Sequence, residues 1–199
     1  MAKIKHTKNE LKAQRDGLKR FRRYLPTLQL KKQQLQMEMR QLDQRIEEKA
    51  AEERRLRDDL ASWVKLYSEP IDLATYLHVH EVKTSHGNIA GVTIPVLNEV
   101  VFERLTPDLY ETPPWIDDGL DAASKLLRLR IEWGILQEQH RLLAEELRVT
   151  SQRVNLFEKV KIPEARENIR VIRIFLGDMQ TSEVARGKIA KKKSVGVDT

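Results

Sequence analysis

Apolar side chains recur every seven residues over the first third of the chain. The heptad positions form two sets, the first made of Leu11, Leu18, Leu25, Lys32, Met39, Ile46, Glu53, Leu60 and Tyr67, and the second of Gln14, Phe21, Leu28, Leu35, Leu42, Lys49, Leu56 and Trp63. Thirteen of these seventeen residues are apolar or aromatic. A repeat sustained over about eight heptads is typical of a coiled-coil helix. We therefore predict a long helix over residues 8 to 68, with a kink or a break at Pro26, whose ring crowds the carbonyl of Arg22.

The last third of the chain repeats the pattern. One set contains Leu126, Trp133, His140, Leu147 and Val154, and the other contains Leu129, Leu136, Leu143, Thr150 and Phe157. After Val160 the sets continue one residue out of phase, through Ile162, Ile169 and Leu176 and through Ala165, Ile172 and Met179. This slip predicts a local re-phasing at Pro163, where the helix bends around its partner. Trp63 and Trp133 are interpreted as packed residues and His140 as a tolerated polar one.

The middle of the chain is rich in Val, Ile and Thr. It predicts a β-hairpin near 77–84 and 88–94, with its turn at residues 86–88 and its end at Pro95, and a second long helix starting near Trp115 to Asp118. The expected fold class is therefore all-α dominated, a long antiparallel two-helix coiled coil with a short central β-hairpin region. The expected divisions are a first helix over 1–70, a hairpin and loops over 71–114, a second helix over 115–185 and a basic tail over 186–199.

Basic residues concentrate at the two ends of this 199-residue chain, whose formal net charge is +6. Residues 1–32 contain eleven lysines and arginines but only two acids, and residues 186–193 contain five more. In an antiparallel pair both basic segments lie at the same end. This distribution suits an acidic partner, which could be a nucleic acid, a membrane surface or an acidic protein, and a merely solvated charged face is the alternative.

Few residues could carry chemistry. His78 and His80 share one face of a predicted strand, His86 lies in the predicted turn, and imidazoles are common metal ligands. No cysteine is present, and no acid follows at a spacing that would complete a ligand set. Gly187-Lys188 is not a phosphate-binding loop, because Ile189 stands where Ser or Thr is needed. We therefore predict no catalytic residue, no cofactor and no metal, with an enzyme built on the three histidines as an alternative.

The sequence contains no indication of a membrane segment. No stretch of 18 apolar residues occurs, and "MAKIKHTKNE" lacks the apolar core of a secretory signal. The lack of cysteine is typical of a reducing compartment. These features predict a cytoplasmic protein without a direct membrane span.

The C-terminal third resembles the D subunit of the V-type (A/V-type) rotary ATPases, the family of central rotor stalks. The likeness is carried by Arg153, Val154 and Asn155, followed by Ile162 and Pro163, and "GNIAGVTIPV" at 87–96 is similar to the family's central strand segment. The N-terminal third departs from the family pattern, with an added Pro26. The related rotor of F-type ATPases carries a larger α/β domain than residues 71–114 can form.

The resemblance implies a non-catalytic axle that transmits torque between an ATP-handling ring of A and B subunits and the ion-translocating membrane rotor. The F subunit would clasp the coiled coil, the d subunit (also called C) would seat its lower end, and the chain would lie peripheral to the membrane without binding nucleic acid. Expected ring contacts are Lys3, Lys5, Lys8, Lys12, Arg15, Arg186, Lys188 and Lys191. Residues expected to set the helix register are Leu35, Met39, Leu42, Ile46, Leu143, Leu147, Val154 and Phe157. A basic coiled coil that binds nucleic acid or another acidic partner is the alternative, and binding to duplexes that weakens steeply with salt would support it.

Overall fold

The computed structural model describes residues 4–61, 71–108 and 110–195. In chain order it contains helices α1 (Lys8–Leu60) and α2 (Leu73–Tyr76), strands β1 (Leu77–Ile89) and β2 (Val92–Arg104), helix α3 (Ile116–Asn155), a π-helix (Leu156–Lys161) and helix α4 (Ile162–Val195). Long helices dominate and β1 pairs with β2 in a two-stranded antiparallel sheet, which confirms the predicted fold class. Two compact units divide the chain: Met1–Lys31 with Thr150–Thr199 is the first unit, and Lys32–Val149 is the second unit.

Helix α1 continues without a break through Pro26. The proline cannot donate a hydrogen bond to the carbonyl of Arg22, yet the helix is unbroken from Lys8 to Leu60. Of the two predicted outcomes, the break at Pro26 is therefore wrong, and the kink stays a prediction. Half-buried Leu25 and Leu28 flank the proline on the packed face. Their burial offsets the single backbone hydrogen bond that the proline removes.

Strands β1 and β2 pair over their full length around a two-residue turn at Ala90 and Gly91. The φ angles of these residues are 50° and 81°, and positive φ at both turn positions matches the twist of the flanking strands. The predicted turn at residues 86–88 and the predicted end at Pro95 are wrong, because both segments lie inside the paired strands. Asn88 supports the observed turn instead, since its Oδ1 accepts a hydrogen bond from the Gly91 N at 3.0 Å.

The tip of the hairpin packs on the helices of the second unit. Ile94 belongs to one buried cluster with Leu35, Leu42 and Leu143. The side chain of Gln139 on α3 donates a hydrogen bond to the backbone carbonyl of Pro95. The hairpin therefore folds back along α1 and α3, and the core of this part of the unit is shared by all three segments.

The base of the hairpin packs at the start of α3. Leu77, Ile116 and Leu120 are buried together there, with Phe102 and Trp115 packed against them. Helix α3 begins at Ile116, where the acidic pair 117–118 was predicted to start a helix, and both acids lie in its first turn. The hairpin is thus fixed to the helices at both of its ends.

In the second unit α1 and α3 run antiparallel. Lys49 Nζ lies 2.9 Å from Glu132 Oε2 across the two helices. Asp43, six residues earlier on α1, pairs instead with His140, eight residues later on α3, at 3.1 Å. Because the partner number rises as the α1 number falls, the helices point in opposite directions.

In the first unit α1 runs antiparallel to the α3–π–α4 run. The rings of Phe21 and Phe157 lie 5.2 Å apart between centroids. Nearer the start of α1, the Gln14 side chain accepts a hydrogen bond from Asn168 at 3.4 Å. The partner number again rises as the α1 number falls.

The π-helix accounts for the change of heptad phase. The Ile162 N–H bonds to the carbonyl of Phe157, five residues back, so this turn holds one residue more than an α-helical turn. Val154 and Ile162 are both buried although they are eight positions apart. The predicted re-phasing is therefore present, but the extra residue lies in the turn before Pro163 rather than at the proline.

The residues expected to set the register lie on the packed faces of the helices. Leu35, Leu42, Leu143 and Val154 are buried, and Met39, Ile46, Leu147 and Phe157 are half-buried. Two other heptad positions differ from the prediction: Trp133 is 37% exposed and Met179 is 44% exposed. The remaining positions Trp63 and Tyr67 lie outside the described residues.

Each exposed heptad position has a structural reason. Near Trp133 the hairpin also packs on α3. Its contacts there are with Leu136, which packs against the cluster that contains Ile94, and with Gln139, which bonds to Pro95, and not with the indole. Met179 lies four residues beyond Phe175, whose ring contacts His6 just before α1 begins. Because α1 begins only at Lys8, little of it remains to cover the face of α4 beyond Phe175.

Candidate functional site

The candidate metal ligands His78 and His80 both face Glu103 on β2. Nε2 of His78 lies 2.9 Å from Oε2 of Glu103, and Nδ1 of His80 lies 3.6 Å from the same oxygen. Sequence spacing did not reveal this acid, because only strand pairing brings residues 78 and 103 together. His86 pairs with Pro95, nearer the tip. Within the described residues no group of three or more potential ligands is arranged to hold a metal ion.

A run of exposed cations of the first unit lies on the N-terminal part of α1. Lys8, Lys12, Arg15 and Lys19 are exposed and follow one another at intervals of four, three and four residues. This spacing puts them on one face of the helix. The sequence already contained this regularity, although the basic run was first read only as a concentration of charge. We call these four residues the basic stripe.

The helix dipole does not explain the basic stripe. Thr7 Oγ1 accepts a hydrogen bond from the Glu10 N at 3.2 Å and caps the first turn of α1. Cations near a helix N-terminus are disfavoured by the partial positive charge there, by roughly 0.3–1 kcal/mol each. Lys8, in the first turn, therefore does not serve the stability of α1, and the dipole gives no reason for the cations that follow it. A partner that supplies negative charge is the simpler reason for their presence.

The expected contacts at the other end of the chain lie in the last part of α4. Arg186, Lys188 and Lys191 are exposed, and the helix continues to Val195. Cations near a helix C-terminus favour the helix itself, an effect confined to the last turn, which here contains Lys192 and Lys193. The helix dipole therefore does not account for Arg186 and Lys188. Lys5 is exposed, and Lys3 lies outside the described residues.

Two cations of the second unit form ion pairs between α1 and α3. Lys49 bonds to Glu132 and Glu52, and these hydrogen bonds raise its pKa above the ordinary value of 10.5. Arg130 lies 3.5 Å from Glu53 across the helices. In contrast, in the part of the chain that the structure describes, no member of the basic stripe forms an ion pair. The stripe is therefore available to a partner.

Exposed apolar side chains on α4 were missed by the sequence analysis. Ile174 is 52% exposed and Phe175 is 41% exposed, and Val171 and Met179 lie on the same stretch with more than a third of their surface exposed. Their signal was present in the sequence, since the helix carries more apolar residues here than two heptad sets require. No helix in the described ranges is long and apolar enough to cross a membrane. The basic stripe on α1 and these exposed apolar residues on α4 both belong to the first unit.

An apolar pocket of ≈ 580 Å³ lies in the second unit, beside the base of the hairpin. Leu73, Leu77 and Leu126 line it, and the ion pair of Glu53 with Arg130 borders it. Arg57, which also lines the pocket, forms a second ion pair with Glu53 at 2.8 Å. The rest of the lining is mostly aliphatic.

Comparison with known proteins identifies the family. The family profile for the D subunit of ATP synthase matches residues 10–192. The chain is 47% identical over 195 residues to a V-type ATP synthase D subunit of Borreliella burgdorferi, covering 98% of this chain and 96% of that one. It is 38% identical to the V-type ATP synthase D subunit of Chlamydia muridarum, covering 96% of each chain. The chain therefore belongs to the D-subunit family of the V-type ATP synthases.

Proposed function

We propose that this chain is the non-catalytic central axle of a V-type rotary ATPase and transmits torque between its ATP-handling ring and its ion-translocating membrane rotor. The observation that carries the proposal is the basic stripe on α1, exposed and free of ion pairs among the described residues. Antiparallel helix packing in each unit supports it, because packed helices resist bending and twisting better than loops do.

The chemistry of the surface suits a rotating contact. Three equivalent sites of a ring can be driven to different states only if the axle makes different contacts with each of them. The basic stripe occupies only one face of α1. Acidic groups placed at different positions around the axle would therefore face either the stripe or a surface without it. Exposed ion pairs are worth roughly 0–1 kcal/mol each and are screened by salt, so they guide orientation without locking it.

The proposed partners are the A and B subunits around the first unit, the F subunit along the helices, and the d subunit (also called C) at the second unit. The apolar pocket beside the hairpin base is the proposed seat for a side chain of the d subunit, since its lining is mostly aliphatic. ATP would be handled by the A and B subunits, and the assembly would lie peripheral to the membrane on the cytoplasmic side. Family membership does not favour the alternative of a nucleic-acid-binding coiled coil.

Charge removal in the reconstituted complex tests the proposal. We expect the combined variant Lys8→Ala, Lys12→Ala, Arg15→Ala and Lys19→Ala to lose coupling between ATP hydrolysis and ion transport. A second variant, Arg186→Ala with Lys188→Ala and Lys191→Ala, reports on the other basic segment. Coupling is measured as ions moved per ATP hydrolysed, with assembly followed by size-exclusion chromatography and helicity by circular dichroism.

The matched control keeps the charges and changes only the side chains. Replacing the same three lysines by Arg, and Arg15 by Lys, preserves four cations at four positions and is expected to retain coupling. If the alanine variant assembles, stays helical and couples as well as the control, the stripe has no role in the ring contact.

A further inference from the structure

Helix α1 has a backbone defect around Pro26. The proline leaves the carbonyl of Arg22 without its usual helical donor. One residue further on, the Thr27 hydroxyl donates a hydrogen bond to the carbonyl of Tyr24 at 2.8 Å. Hydroxyl bonds of this kind compete with the backbone and bend helices. The segment 22–27 is therefore held by fewer regular backbone bonds than the rest of α1.

The opposite helical run has a defect of its own. In the π-helix the Ile162 N–H bonds to the carbonyl of Phe157. The next residue, Pro163, has no N–H, so the carbonyl of Glu158 receives no donor from either residue that could bond it in an α- or a π-turn. None of the residues 156–161 is buried. Immediately after them Ile162 and Ala165 are buried again.

The two defects start at the same level of the first unit. Phe21 precedes Arg22 by one residue, and Phe157 is the second residue of the π-helix. Their rings are 5.2 Å apart. Because the helices are antiparallel, the two defects extend from this level in opposite directions, each over about one to two helical turns.

We propose that the level of the Phe21–Phe157 pair is a built-in joint, at which both helices bend and twist more easily than in the segments on either side. A helix bends and opens more easily where its backbone hydrogen bonds are interrupted and few of its side chains are buried. Here the two interruptions adjoin each other at the level where they start, and a half-buried aromatic pair with rings 5.2 Å apart keeps the helices together there. The use of this joint to take up torque between ring steps rests on the proposed axle function.

The heptad arithmetic supplies a variant that removes the joint without disturbing the packed face. Deleting half-exposed Val160 shortens the interval from Val154 to Ile162 from eight positions to seven, which an ordinary α-helix accommodates. Combining this deletion with Pro163→Ala restores the missing backbone donor. Pro26→Ala repairs the other helix.

Hydrogen exchange of the full-length chain tests the joint itself. In the wild type we expect backbone amides of residues 156–162 to exchange about fivefold faster than those of residues 165–172, a factor of the size that one protein hydrogen bond supplies. The Val160 deletion with Pro163→Ala is expected to abolish this difference, and Pro26→Ala to slow exchange in residues 22–30. Equal exchange rates in the wild type, or a repaired variant with unchanged rates, would overturn the joint.

Two controls separate the joint from simple damage. Pro163→Ala alone keeps the eight-position interval and hence the π-turn, so its amides are expected to exchange as in the wild type. Deleting exposed Arg166 instead, inside regular α4, shifts the buried face and is expected to lower the melting temperature, whereas the Val160 deletion with Pro163→Ala is not. If both deletions lowered it equally, the extra residue of the π-turn would not be dispensable and the joint would be rejected.

The assembled complex tests the use of the joint in rotation. With all three changes the rotor is expected to show a measurably higher torsional stiffness in single-molecule rotation experiments. Fast exchange in the isolated chain together with unchanged stiffness would overturn the role in torque and leave the joint standing. Loss of the axle function itself would show instead as failure to assemble with the ring.

Discussion

Gly87 is a residue whose lack of a side chain the hairpin requires. A Cβ at this position would lie 2.8 Å from Val96 Cγ2 and 3.5 Å from Ile94 Cγ1. Both neighbours are β-branched, and Ile94 is buried against the helices, so neither can move away freely. The sequence predicted this glycine to lie in a turn at residues 86–88, whereas the structure places it in β1, close to side chains of β2.

We expect Gly87→Ala to lower the free energy of unfolding by about 1–3 kcal/mol through overpacking. The matched control is Gly134→Ala in α3, where a Cβ would meet nothing within 4 Å. That change is expected to raise the free energy of unfolding by about 0.5–1 kcal/mol, because Ala favours the helix. Urea unfolding followed by circular dichroism measures both, and equal effects of the two changes would contradict the packing argument.

Lys49 shows how a charged residue can occupy a heptad position. Its side chain is 34% exposed and bonds to Glu132 on the opposite helix and to Glu52 on its own. We expect Glu132→Gln to cost about 0.5–1 kcal/mol, more than Glu52→Gln, because only Glu132 joins two helices and it is the less exposed partner. Thermal unfolding of the two variants at neutral pH checks the order.

The pH dependence of this pair follows from the raised pKa of Lys49, caused first by the hydrogen bond with Glu132. A raised lysine pKa stabilises the folded state fully below the unfolded value of 10.5, and that contribution is lost as the pH rises through the folded-state pKa. The stability difference between wild type and Lys49→Gln is therefore expected to be constant at neutral pH and to shrink above pH 10.5. A difference that grows in that range would be inconsistent with the pair.

At the scale of elements, the hairpin is held by its tip. Ile94 is 4% exposed, and its cluster contains Leu35 and Leu143 from the two helices. We expect Ile94→Ala to lower the free energy of unfolding by about 2–4 kcal/mol, since it leaves a cavity in a shared core. Val82→Ala on the same hairpin, where the side chain is 38% exposed, is expected to change it by less than about 0.5 kcal/mol. Similar losses in urea unfolding would mean that the tip is not an anchor.

The long helices followed directly from the heptad pattern, whereas their irregular parts did not. The period of seven depends on side chains of one helix face and is visible in any sufficiently long segment. The unbroken passage through Pro26 and the π-helix before Pro163 depend on what the partner helix offers at that level. A phase slip in the sequence indicates that one residue is extra, but the turn that absorbs it is chosen by packing.

At the scale of the whole molecule, the sign and placement of charge govern association. The net charge of +6 comes largely from the two ends of the chain. We expect the association rate of the chain with an A–B ring to fall about tenfold or more between low and high salt. The variant without Lys8, Lys12, Arg15 and Lys19 is expected to show a much shallower dependence in stopped-flow measurements. Parallel salt dependences would argue against steering by these residues.

The candidate surface was only partly accessible from the sequence. The basic run was evident from composition, and its arrangement as a stripe follows from helical spacing alone. The exposed Ile174 and Phe175 were not recognised, because they lie outside both heptad sets. Whether a cation has an ion-pair partner depends on contacts across helices, and these require the fold.

The sequence by itself determined the long helices, the presence of a central hairpin, the antiparallel pairing of the two thirds and the basic ends. These features rest on local periodicity, turn chemistry and charge, which act over a few residues. Only the tertiary structure decided the turn at Ala90–Gly91, the meeting of Glu103 with His78, the exposure of Trp133 and the position of the π-turn. Each of these depends on contacts between residues far apart in the chain, and packing against a distant segment outweighs the small local preferences that a sequence pattern records.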